Sequence, residues 1–310
     1  VLKRFLVGLL GAVVLSVGLA WFLTDRQTDP TAAFPVDAAF DDGGALPFGP
    51  FGGRFSPDGR QLMVLSGDAV SLARKGELTQ LNEEGDEVID AAWLPGGNAV
   101  LAAFGPVGSD QMVVFDRAGK SLGNVTMKPA VAIAPNGGMA VDSTGRRAAV
   151  TAAERGGLPG QSPTTGIHLV DLATGAVTAA SPPNVAVRGP VWLSSKQLLV
   201  TTTQGIDPGR TRAAVLDLDT KALQPIGPDD APSRGLAVLR SGVIVIEVRR
   251  GDTVTINALA ADTMHSLGTL PAGWAAVDVD PTGSRALVLD TSQSALGSDR
   301  LRRFTLEEKK

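Results

Sequence analysis

The chain has 310 residues, a formal net charge of −4, 44% hydrophobic and 19% charged residues, and no cysteine. That apolar content supports a folded core rather than disorder, and the small, interspersed charge offers no footprint for duplex nucleic acid. The missing thiols exclude disulfides, thiolate metal sites, a cysteine nucleophile and acylation at cysteine.

Lys3 and Arg4 precede an uncharged apolar stretch, residues 5–23. At about 1.5 Å per residue it matches the hydrocarbon thickness of a bilayer, with Trp21 and Phe22 where interfacial aromatics sit. Residues 1–23 are therefore expected to be a signal anchor, a single transmembrane helix, and Gly18-Leu19-Ala20 leaves a cleaved signal peptide as the alternative. The positive flank predicts a single-pass protein of the cytoplasmic or inner membrane. Its N-terminus would lie in the cytoplasm and the remainder outside it, periplasmic or extracellular. Residues 24–52, rich in Asp, Pro, Gly and Ala, read as a linker.

From residue 53 to residue 310 the chain is a succession of short β-branched runs separated by turn signals. One turn recurs: Ser56-Pro57-Asp58-Gly59, Leu94-Pro95-Gly96-Gly97, Asp142-Ser143-Thr144-Gly145, Leu193-Ser194-Ser195-Lys196, Leu239-Arg240-Ser241-Gly242 and Asp280-Pro281-Thr282-Gly283. The copies are roughly 38 to 51 residues apart, the spacing of propeller blades. A second turn follows each of the first five, as at Arg117-Ala118-Gly119-Lys120 and Ala173-Thr174-Gly175-Ala176. Each unit reads as four strands; in the fourth these are residues 187–193, 197–203, 211–217 and 222–226. A sheet with two apolar faces must stack on neighbours around an axis. The expected fold is thus all-β, a propeller of six blades of four antiparallel strands over residues 53–310, preceded by one N-terminal transmembrane helix. The sixth unit shows three strands, and its fourth is expected from the linker, about Phe34 to Phe48, closing the ring.

Phe55-Ser56-Pro57-Asp58-Gly59-Arg60 before a hydrophobic strand resembles the repeat signature of the TolB-like and related WD40-like bacterial propellers. So do Val114-Phe115-Asp116-Arg117-Ala118-Gly119-Lys120 and, more loosely, Leu169-Val170-Asp171-Leu172-Ala173-Thr174-Gly175. The resemblance implies a six- or seven-bladed ring with a role in protein interactions of the cell envelope. The stretch before the first blade is too short for the separate α/β domain of the family's namesake, so the chain is not expected to be that protein.

No stretch carries a phosphate loop, a nucleophile elbow or a calcium loop. His168 and His265 fall in different units without spaced partners. The pairs Asp217/Asp219 and Asp278/Asp280 place carboxylates at period two on a strand face, a spacing able to hold a cation but commoner where a strand enters a turn. Trp93, Trp192 and Trp274 are expected to pack between blades. No catalytic residue, metal or cofactor is expected. The long connections fall on the face opposite the tight turns, where binding residues usually gather. Its charged candidates for partner binding are Asp110, Arg155, Asp207, Arg210, Arg249 and Arg250. The expected function is a membrane-tethered binding or scaffold protein of the bacterial cell envelope, held by residues 5–23 and meeting an envelope protein or cell-wall component through that face. The alternative is a propeller enzyme, a metal-dependent lactonase- or esterase-like hydrolase with its site at the central channel. Three or more acidic or amide side chains converging there would favour the enzyme.

Overall fold

Tight turns between short apolar runs can only build antiparallel ladders, and the computed structural model of the chain contains six of them. It describes residues 52–74, 77–83, 86–105, 111–154, 164–183, 185–203, 211–260, 263–290 and 300–306. Blade 1 is β1 (Gly52–Phe55), β2 (Leu62–Leu65), β3 (Val70–Arg74) and β4 (Glu77–Gln80). Blade 2 is β5 (Val88–Trp93), β6 (Ala99–Phe104), β7 (Gln111–Asp116) and β8 (Ser121–Thr126). Blade 3 is β9 (Met139–Val141), β10 (Arg147–Glu154), β11 (Thr164–Asp171) and β12 (Val177–Ala179). Blade 4 is β13 (Ala186–Ser194), β14 (Gln197–Thr203), β15 (Thr211–Asp217) and β16 (Leu223–Pro225). Blade 5 is β17 (Ser233–Val238), β18 (Ile244–Arg250), β19 (Thr253–Ala260) and β20 (Thr263–Leu270). Blade 6 has three strands among the described residues, β21 (Trp274–Val279), β22 (Arg285–Asp290) and β23 (Arg300–Thr305). The structure is a six-bladed β-propeller.

The recurring turns join first to second strands and are held locally. Gly59 donates its amide to the Ser56 carbonyl at 2.7 Å, and Gly145 and Gly283 donate theirs to Asp142 and Asp280 at 2.9 Å. The side chains of those aspartates also accept turn amides, Asp142 from Arg146 at 3.0 Å and Asp280 from Ser284 at 2.8 Å. Asx-type capping of this kind needs only neighbours in sequence.

Strand alternation sends successive residues to opposite neighbouring blades. In β2, Met63 and Leu65 pack with Val88, Ala91 and Trp93 of blade 2, while Leu62 and Val64 pack with Leu287 and Leu301 of blade 6. In β18, Val245 joins the core shared with blade 6, and Ile246 and Val248 the core shared with Ala213 of blade 4. The core is therefore a set of layers between blades, and the contact of blade 1 with blade 6 closes the circle.

The expected transmembrane helix is corrected. Every described element is a strand of nine residues or fewer, apart from the three-residue helical turn Pro95–Gly97. Among the described residues no helix is long and apolar enough to cross a membrane, which takes about 20 residues. Residues 5–23, to which the span was assigned, lie outside the described residues, as do Phe34 to Phe48. The single-pass topology, the N-terminus in the cytoplasm, the extracytoplasmic placement and the membrane-tethered envelope scaffold all rested on that helix and fall with it. Among the described residues the fold is the propeller alone.

Candidate central-channel site

A propeller's first strands surround its axis, and here β1, β5, β9, β13, β17 and β21 all line one cavity of about 800 Å³. Regular strands of this kind would present small residues to the channel and large ones to the blade cores. Four of the six inner strands depart from regularity. The pairing shifts register between Val88 and Asp90, Arg188 and Val191, Gly235 and Ala237, and Ala276 and Asp278. Such bulges re-aim side chains. Ala276 and Val279 both sit in the core between blades 5 and 6 although three residues apart, so Asp278 is freed to face the other way. Val88 and Ala91 behave alike around Asp90.

The carboxylates so turned reach across blade junctions. Asp278 accepts the amide of Phe55 in blade 1 at 2.7 Å and that of Val279 at 2.9 Å. Asp90 accepts the amide of Gly138 in blade 3 at 2.9 Å and that of Ala91 at 2.8 Å, and pairs with Arg54 of blade 1 at 3.1 Å. Arg54 continues to the carbonyl of Met139. Its own carbonyl accepts the indole N–H of Trp93 at 3.1 Å. Glu247 on β18 accepts the amide of Ala276 at 3.0 Å and pairs with Arg234 at 2.8 Å, while Arg234 donates to the Ala276 carbonyl. At the two remaining junctions a threonine hydroxyl takes the acceptor's place. Thr151 accepts from Gly189 at 3.3 Å, and Thr201 from Gly235 at 3.2 Å.

These contacts set the electrostatics. Burial pushes Asp278 up to about 7, against the opposing pull of the Phe55 amide and the Arg54 guanidinium. Burial also raises Asp90, opposed by Arg54 and by the amides of Ala91 and Gly138. Asp142, at the channel's rim, is also penalised by burial, but hydrogen bonds from Thr144, Arg147 and the amides of Arg146 and Arg147 outweigh it and hold the carboxyl below its usual range. Arg188 lines the channel with its side chain exposed, and among the described residues it has no ion-pair partner.

The residues singled out from sequence fare differently. Asp110, Arg155, Asp207 and Arg210 lie outside the described residues. Arg249 and Arg250 end β18 and are exposed, and Arg250 pairs with Asp230 at 3.0 Å. The Asp pairs do not converge: Asp280 caps a turn while Asp278 faces blade 1, and Asp217 caps its turn while Asp219 pairs with Lys196 at 2.5 Å. Trp192 donates to the Ala140 carbonyl at 3.1 Å beneath the Arg147 guanidinium, and Trp274 meets Phe304 edge to face. His168 lies in β11 and His265 in β20. Among the described residues no three or more His, Cys, Asp or Glu side chains gather as a metal would need. Sequence reasoning missed Arg54, Asp90, Arg188 and Arg234. The available signal was a charged residue inside a first strand, repeated as Arg188-Gly189 and Arg234-Gly235.

No family model matches the chain, and no curated protein matches it. Among solved structures it is similar to an oligogalacturonate lyase in complex with manganese, at 13% identity over 86% of this chain and 78% of that one, with a TM-score of 0.55. It is also similar to the β-propeller domain of the Trilobed protease from Pyrococcus furiosus, at 14% identity over 83% of this chain and 79% of that one, TM-score 0.55. A third is the β-propeller domain of Myceliophteria thermophila Cps50, at 13% identity over 84% and 88%, TM-score 0.50. Likeness at such identities carries the fold alone. What these likenesses show is the propeller fold, which lyase and protease propellers share, and nothing in them singles out the TolB-like kind.

Proposed function

We propose that this propeller is an enzyme working in its central channel, a hydrolase of small-molecule esters or lactones with Asp278 as its acid–base group. The observation that carries the reading is a carboxyl poised at about 7 on the wall of a cavity of about 800 Å³, beside the positive charge of Arg54. Perturbed carboxyls in concave sites are what acid–base chemistry near neutral pH requires. Half ionised at pH 7, Asp278 takes a proton from a water molecule as the water oxygen bonds to the acyl carbon. The same proton then goes to the leaving alkoxide as the acyl C–O bond breaks. Arg54 supplies positive charge for the oxyanion formed between the two steps. A metal-dependent variant needs a ligand set that the described residues do not assemble, so no step is assigned to a metal. An oligogalacturonate lyase of the same architecture supports reading such a ring as one that carries an enzyme. Within that architecture, the Phe55 to Arg60 turn supports grouping the chain with the TolB-like propellers.

The test is a panel of p-nitrophenyl esters and γ-lactones assayed with the full chain across pH. Turnover is expected with kcat/KM rising through about pH 7, and Asp278→Asn is expected to lose about 100-fold or more of it. A panel left wholly intact, or an Asp278→Asn variant as active as the parent, sinks the reading.

A further inference from the structure

The charges of the channel do not cancel. Arg54 is balanced by Asp90 at 3.1 Å, Arg234 by Glu247 at 2.8 Å, and the rim carboxyl of Asp142 by Arg147 at 3.1 Å, while Arg240 donates to the Pro57 carbonyl at 3.1 Å and Asp278 holds the amides of Phe55 and Val279. Arg188 lines the same cavity on β13 and, among the described residues, has neither an ion pair nor a side-chain hydrogen bond. The chain as a whole is acidic, at −4, so a surplus guanidinium inside its channel does not follow from composition.

The placement of Arg188 is built rather than incidental. Arg188-Gly189 and Arg234-Gly235 occupy corresponding positions on the inner strands of neighbouring blades. In each, the glycine amide is held by a threonine hydroxyl from the second strand of the preceding blade, Thr151 at 3.3 Å and Thr201 at 3.2 Å. The two glycines share that threonine contact, while Gly189 alone has a left-handed backbone, φ +64°, and its amide also reaches the Gly137 carbonyl at 2.7 Å. Arg234 spends its guanidinium on Glu247 and the Ala276 carbonyl, whereas the equivalent group of Arg188 is left facing the cavity. A planar fork of donors in a partly enclosed cavity is matched by a planar oxyanion.

We infer that Arg188 forms a subsite for a single carboxylate carried by the molecule that occupies the channel. One guanidinium at the subsite matches one negative charge, and the Asp278 carboxyl on the same cavity wall opposes a second where it is ionised, so a monocarboxylate suits the site better than a phosphate dianion. The inference rests on the channel being the working site, as proposed above, and narrows its substrates to esters or lactones that bear a carboxylate.

Calorimetric titration of the full chain at neutral pH with benzoate, its neutral isostere benzamide, and phenyl phosphate tests this. Benzoate is expected to bind about tenfold tighter than benzamide, and also tighter than phenyl phosphate. Arg188→Gln should erase the preference for benzoate without altering benzamide, while Arg188→Lys, which keeps the charge but not the fork, should retain part of it. Because Arg188 holds no other group among the described residues, both variants are expected to melt with the parent. Equal binding of benzoate and benzamide, no benzoate binding at all, tighter binding of phenyl phosphate, or a preference that survives Arg188→Gln would each overturn the inference. The two proposals fail separately: the hydrolase reading stands or falls on Asp278→Asn turnover, whatever benzoate does, and the carboxylate subsite on the benzoate series, whatever is hydrolysed.

Discussion

Asp278 in the last blade accepts the amide of Phe55 in the first at 2.7 Å, across 223 positions of sequence. One bond that fastens blade 6 to blade 1 is thus made by the same carboxyl that burial lifts to about 7. Ring closure and channel chemistry share one titrating group, flanked by Arg54, Asp280 and the amides of Phe55 and Val279.

The pH dependence of stability follows from that shift. The folded protein holds the Asp278 proton up to about pH 7, whereas an unfolded chain releases it near 4, so the folded state binds more protons between the two values. This group's contribution is therefore fully present below about 4 and is lost as pH rises through about 7; Asp90, also raised, acts in the same direction. Asp278→Asn, which keeps an acceptor for Phe55 without the charge, is expected to raise Tm at pH 8 relative to the parent, with the gain shrinking towards pH 4. Each 1 kcal/mol is worth about 2–4 °C in a domain of this size. A constant difference across that range would refute the assignment.

Asp90 offers the opposite experiment. Its carboxyl is buried and satisfies Arg54 and two amides at once. Asp90→Ala leaves the two amides without that acceptor and Arg54 with the Met139 carbonyl but no counter-charge, and is expected to cost about 2–4 kcal/mol in urea unfolding, the lower part of the range reflecting the solvent access of Arg54. Asp219→Ala, which removes a fully solvated pair with Lys196, should leave the midpoint where it was.

Two glycines with left-handed backbones separate strain from crowding. At Gly138, φ is +98° and an added Cβ would lie 2.7 Å from the Gly189 Cα of the next blade; at Gly242, φ is +83° and nothing lies within 4 Å. Gly242→Ala is expected to cost only the conformational term, about 1 kcal/mol. Gly138→Ala must also push two inner strands apart and is expected to cost about 2–4 kcal/mol. Matched denaturant midpoints for the two variants would contradict the close approach of blades 3 and 4.

Blade 6 is one strand short of its neighbours among the described residues, and the outer edge of β23 is where a fourth strand would pair. Deleting residues 30–50, the stretch expected from sequence to fill that edge, should lower the melting temperature sharply. An unchanged melt would assign the edge another partner.

How far the sequence could be read follows from the range of each interaction. Blade count and strand limits were legible because they depend on turns whose bonds are local: Gly59 to Ser56, Asp142 to Arg146, Asp280 to Ser284. The strands expected at residues 197–203 and 211–217 are β14 and β15 to the residue. The channel was not legible, since Arg54 meets Asp90 at a separation of 36 and Asp90 meets Gly138 at 48. Period-two reasoning also breaks at a bulge, which is why Asp278 and Asp280, expected on one strand face, do different work. The long connections hold Asp110, Arg155, Asp207 and Arg210, which lie outside the described residues.

The six junctions around the axis have one more consequence. Phe55, Gly138, Gly189, Gly235 and Ala276 each lend an inner-strand amide to the blade before, and the Arg54–Asp90 pair bridges the sixth position. A chain of mutual restraints with no free end behaves as a hoop: releasing one blade means breaking its bonds on both sides while the other five blades hold their places. These five amides should accordingly exchange with deuterium at one shared rate, that of the whole circle opening, rather than blade by blade.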